Sequence, residues 1–180
     1  MKKNHITRLS LSAMLLALGL VLPFLTGQIP EIGSMLLPMH LPALICGFVC
    51  GWQWGLVTGF VMPLLRSVLF GMPPMVPKAL CMAFELAAYG AGAGWLYQKL
   101  AGRRGRTLVA LAGAMLIGRA VWGLASIVVF RTLMDSAFAL AAFWSGAFAT
   151  AWPGMVLQLI LVPLIVKALE RTKMLPSVSN

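Results

Sequence analysis

Glu85 and Arg119 stand inside long apolar stretches of this chain, and any chemistry it performs has to begin with them. An ionised side chain at mid-bilayer depth costs at least about 2.5–3.5 kcal/mol on insertion scales, so each needs a partner or a cavity. Counted at about 1.5 Å per residue from the ends of their apolar runs, both reach the same depth. They form a candidate pair. Helical spacing puts Lys78, Cys81, Glu85, Tyr89 and Gly92 on one face, and Arg119, Trp122, Gly123 and Ser126 on another. Each stripe mixes charged, aromatic and small residues, which suits the wall of a ligand cavity better than a packing face. His40 and Arg66 point to the same level from earlier segments, and Trp144 and Gln158 are further candidates near the end. The plain alternatives are a salt bridge that only fixes helix register, a capping or interfacial histidine, and an Arg66 that snorkels to headgroups.

Reaction chemistry is hard to assemble. The chain has four acidic residues, none close to another, and Ser145 in Trp144-Ser145-Gly146 has no activating base nearby. Phosphate-cradling loops and the HExxH pattern are absent. The chain is therefore read as a non-enzyme that needs no cofactor and hydrolyses no ATP. Cys46, Cys50 and Cys81 are small residues in apolar runs, read as buried and unpaired. Cys46 and Cys50 share a helix face, but two thiols without His or Asp make a poor metal site.

The elements that must hold these residues follow from composition. Of 180 residues, 61% are hydrophobic and 10% charged, and the mean hydropathy is +0.93. A soluble domain carries about 25% charged residues, so the surroundings of this chain are lipid. A span takes about 20 apolar residues, which limits the chain to roughly six or seven helices. The formal net charge of +10 does not indicate nucleic acid, because the basic residues cluster at membrane edges. The clusters are Lys2, Lys3 and Arg8; Lys99, Arg103, Arg104 and Arg106; and Lys167, Arg171 and Lys173. Basic flanks mark the cytoplasmic side, so an even number of spans separates each cluster from the next. The expected fold is one all-α integral membrane domain over 1–180, with six transmembrane helices and both termini cytoplasmic. Spans are expected at about Thr7–Leu25, Leu36–Cys50, Trp54–Phe70, Lys78–Tyr97 and Thr107–Phe130. In the stretch Ser136–Ala168, Pro153 is expected to separate an outer helix from a final span ending near Lys167. Leu9–Leu25 lacks an Ala-x-Ala cleavage pattern and is read as a retained span rather than a leader.

Small residues recur at four-residue spacing in Ala13/Ala17, Gly47/Gly51 and Gly55/Gly59. Lipid gives no hydrophobic drive for helix association, so such pairs let backbones approach closely. The glycine pairs are read as internal packing. Ala13 and Ala17, with Ser10 on the same face, make a flat strip that another protein can use.

These features together resemble the substrate-binding S component of energy-coupling factor (ECF) vitamin transporters. The similarity is carried by Leu11-Ser12-Ala13-Met14-Leu15-Leu16-Ala17, by Leu37-Pro38-Met39-His40-Leu41-Pro42 leading into Gly47 and Gly51, and by Pro153-Gly154 opening the last span. The resemblance implies a high-affinity binding subunit that takes up a water-soluble vitamin or related micronutrient. It implies work with a transmembrane coupling subunit and two cytoplasmic ATPase subunits, and toppling in the bilayer to carry the occupied site inward. Under it, Ala13 and Ala17 match the strip that meets the coupling subunit. The loops Gly27–Met35 and Met72–Pro77 match outer gates, and Glu85, Tyr89, Arg119 and Trp144 fall where ligand contacts are placed. The intramembrane and outer charges are mixed; their mild positive excess tilts the reading toward an acid such as pantothenate, and a neutral vitamin such as pyridoxine fits nearly as well. A scaffolding protein of the cell envelope without a ligand is the main alternative, and a small lipid-modifying membrane enzyme the weaker one.

Overall fold

The computed structural model describes residues 2–26, 29–133 and 150–171, and every element among them is helical. The helices are α1 (Lys2–Val21), α2 (Pro30–Leu36), α3 (His40–Cys50), α4 (Trp52–Phe70), α5 (Leu80–Lys99), α6 (Arg106–Leu133) and α7 (Trp152–Arg171). A 3-10 turn, Leu22–Thr26, extends α1, and a wider turn, Met75–Ala79, leads into α5. Five stretches are long and apolar enough to cross a membrane: His5–Leu25, Trp52–Phe70, Met75–Lys99, Arg106–Leu133 and Trp152–Arg171. Their outer faces carry large apolar side chains; Leu116 and Leu124 are each 65% exposed. Such surface is stable only against lipid.

The second expected span differs from its expectation. The stretch from Leu36 to Cys50 is not one helix, because α2 ends where Leu37 turns left-handed (φ 50°) and α3 begins only at His40. Pro38 explains the break: its ring disfavours right-handed helix at the preceding residue, and it has no N–H to carry the ladder on. At 11 residues, α3 is about 16 Å long, short of a hydrocarbon core of about 30 Å. It is apolar on all sides and buried from Pro42 to Cys50, so it forms the centre of the bundle. The segment 134–149, expected to hold an outer helix, lies outside the described residues.

Glycine lets α3, α4 and α5 meet backbone to backbone. A Cβ on Gly47 would fall 2.1 Å from the Gly90 carbonyl oxygen, one on Gly90 2.3 Å from that of Gly55, and one on Gly94 2.5 Å from the Trp52 nitrogen. Gly47, Gly55 and Gly59 thus pack internally as their spacing suggested, whereas Gly51 adopts φ 98° in the tight link between α3 and α4. A small polar node ties α1 to this centre, with Cys46 Sγ 3.5 Å from both Ser12 Oγ and Thr58 Oγ1. At the basic end of the bundle, Arg106 meets Glu170 at 2.7 Å and Tyr97 OH at 2.8 Å, while Tyr97 also donates to Glu170. Those contacts join the end of α5, the start of α6 and the end of α7, so α5 and α7 run parallel. Phe48, late in α3, stacks edge-on against Tyr97, late in α5, which makes α3 parallel to both.

Candidate functional site

The parallel course of α3, α5 and α7 brings the early residues of all three to one level, opposite the middle of α6. Glu85 lies in the second turn of α5 and accepts from Arg119 of α6, with Nη1 2.8 Å from Oε1. His40, the first residue of α3, places Nε2 3.3 Å from the same oxygen. Tyr89 follows Glu85 by one turn, and its ring meets the His40 ring edge-on at 5.0 Å. Gly118, beside Arg119, makes room for that ring: a Cβ there would sit 2.2 Å from Tyr89 Cδ2. Gln158 on α7 precedes Val162 by one turn, as His40 precedes Leu44 on α3. Val162, Leu44 and Tyr89 belong to one packed apolar cluster, so helical register lifts Gln158 to the level of His40.

All five side chains are buried, Gln158 and Tyr89 completely and Arg119 to within 4%. Their hydrogen bonding is incomplete. Arg119 Nε and Nη2, Tyr89 OH, both ring nitrogens of His40 and both amide atoms of Gln158 have no hydrogen-bond partner. A buried polar group without a partner costs about 1–3 kcal/mol, and native structures hold only a few of them. Here those of α3, α5 and α6 gather around one pair of opposite charges, and helical register puts Gln158 of α7 at the same level. Beneath them, toward the basic end of the bundle, the interior becomes aliphatic and aromatic around Leu44, Phe48, Leu111 and Val166.

The other expected site residues go elsewhere. Arg66 is buried, but it donates to the Leu20 carbonyl oxygen and lies against the edge-on pair Phe24 and Phe70, 4.9 and 5.3 Å from their ring centroids. It fastens α1 to α4 and does not reach Glu85. Trp122 is half-buried on α6, one turn beyond Arg119. Trp144 lies outside the described residues. Ala13 and Ala17 are both exposed on α1, while the neighbouring Ser12 and Leu15 turn inward. Among the described residues no three His, Cys, Asp or Glu side chains gather as a metal site. An apolar groove of about 450 Å³, lined by Trp52, Ala88, Ala91, Gly92, Trp95 and Ile117, runs along the outside of α5 and α6, away from the polar cluster. Gly92, expected on the cavity face, therefore belongs to this groove and to the packing against Ala114. Sequence spacing missed Gly118 because nothing marks which aromatic ring a small residue makes room for.

A central, discontinuous helix whose first residue joins a buried polar cluster between membrane helices sits within a region of recognisable type. The family model for the substrate-specific component of ECF transporters matches residues 7–166. The chain belongs to this family. No curated protein and no solved structure matches it. The S component is accordingly a multi-pass integral membrane protein of the cell membrane, and its family is one of substrate-binding subunits rather than enzymes.

Proposed function

We propose that this S component binds a water-soluble vitamin or related micronutrient at the cluster formed by His40, Glu85, Tyr89, Arg119 and Gln158, with Trp122 at its margin. The observation that carries this reading is the convergence of unanswered donors and acceptors on Arg119, Tyr89, His40 and Gln158. A salt bridge kept only to fix register needs Glu85 and Arg119. It gives no reason for a completely buried glutamine and tyrosine with free polar atoms at the same level.

Uptake then requires a transmembrane coupling subunit and two ATPase subunits, since the chain has no phosphate-binding loop of its own. Ala13 and Ala17, exposed on α1, form the strip on which the coupling subunit docks. The basic clusters support six crossings with both termini cytoplasmic, α2 and α3 together making the second. Purified in detergent, the chain should be thermally stabilised by one member of a panel of water-soluble vitamins, and Gln158→Leu should remove that shift. A panel without a stabilising member, or a shift that Gln158→Leu leaves intact, counts against the assignment.

A further inference from the structure

Resting on that site, we infer that the ligand is an acid whose carboxylate is held side-on by Nε and Nη2 of Arg119. Glu85 occupies Nη1 at 2.8 Å and so fixes the plane of the guanidinium. The remaining edge, Nε and Nη2, is buried and makes no well-formed hydrogen bond, with the Tyr89 hydroxyl beside the guanidinium. That edge presents two parallel N–H groups at the spacing of two carboxylate oxygens. A neutral carbonyl oxygen can be shared between the two N–H groups, but only a carboxylate meets each with its own oxygen in a two-pronged, doubly charged pair.

The neighbours agree with this assignment. Tyr89 OH and the Gln158 amide nitrogen are free donors on the same cluster. The N-terminus of α3 lies at His40 and adds the partial positive charge of its first turn. Gln158 Oε1 is a free acceptor, suited to a hydroxyl or amide N–H elsewhere on the same molecule. His40, with Nε2 3.3 Å from Glu85 and its ring against Tyr89, closes the cluster on the other side of Glu85 from its contact with Arg119. Arg66 plays no part, being committed to Leu20, Phe24 and Phe70. The ligand class thus follows from one edge of one residue rather than from the net charge of the outer half.

The test uses the purified chain in detergent with matched probes that differ only at the acid: pantothenate and pantothenol, nicotinate and nicotinamide, biotin and biotinamide, lipoate and lipoamide. At least one acid should raise the melting temperature, and its neutral partner should bind on the order of 10–100-fold more weakly in calorimetry. Arg119→Lys keeps the charge but loses the two-pronged edge, and should weaken that acid by a similar factor. If Arg119→Lys does not fold, the paired probes on the unaltered chain decide alone. A panel in which no acid binds, or an acid that binds Arg119→Lys undiminished, overturns the inference. Tight binding of a neutral member that Gln158→Leu weakens also overturns it, yet leaves the site in place. Binding indifferent to both Arg119→Lys and Gln158→Leu would remove the site as well.

Discussion

At the scale of single residues, Arg119 holds Glu85, and under the proposed function its other edge holds the ligand. Removing it strands the Glu85 carboxylate, which is 2% exposed. Breaking a buried pair in this way costs about 3–5 kcal/mol, so Arg119→Ala should melt well below the unaltered chain. Adding Glu85→Gln to Arg119→Ala removes the orphaned charge and should recover most of that loss in thermal melts, without restoring ligand binding. Recovery of both would show that the pair fixes register only. Glu85 and Arg119 were legible in the sequence because a charge in an apolar run has few places to go. Arg66 looked the same and went elsewhere. Its partners are a backbone carbonyl and two aromatic rings from separate elements, and no spacing rule pairs those. Gln158 was legible only as a polar residue in the last span; its complete burial depends on the parallel course of α3, α5 and α7.

Among the helices, α3 positions the site and glycine positions α3. Its short length leaves it no membrane face of its own, and the backbone contacts through Gly47, Gly55, Gly90 and Gly94 fix its height against α4 and α5. Gly90→Ala puts a methyl group 2.3 Å from the Gly55 carbonyl oxygen. Overpacking against backbone costs about 1–3 kcal/mol or more, so this variant should melt earlier and lose ligand affinity. Gly33→Ala, where a Cβ meets nothing within 4 Å, should do neither. Equal melting of the two would contradict the account of the crossing. Five of the expected spans were readable from charge and length. The break at Leu37 was not, although Pro38 and Pro42 were in view, because an apolar stretch of span length passes for a single helix. Four-residue spacing likewise marked Gly47 and Gly55 as contact faces without saying that Gly90 and Gly94 would meet them.

For the whole molecule, the proposed function puts the binding site and the power source in different chains. The polar cluster is enclosed by α3, α5, α6 and α7, whereas the exposed Ala13–Ala17 strip is on α1, held to the centre by Ser12, Cys46 and Thr58. Ala13→Trp should therefore abolish co-purification with the coupling subunit and stop uptake while leaving ligand binding by the isolated chain unchanged. Retained co-purification would place the docking surface elsewhere. The most direct test of the central claim is native mass spectrometry of the chain purified from cells grown in rich medium, compared with the Glu85→Leu/Arg119→Met variant. Well-packed apolar replacements of a buried pair are often neutral for stability, so the variant should stay folded. The account predicts one small molecule per unaltered chain and none on the folded variant. A chain that carries nothing, or a variant that carries the same mass, would contradict it.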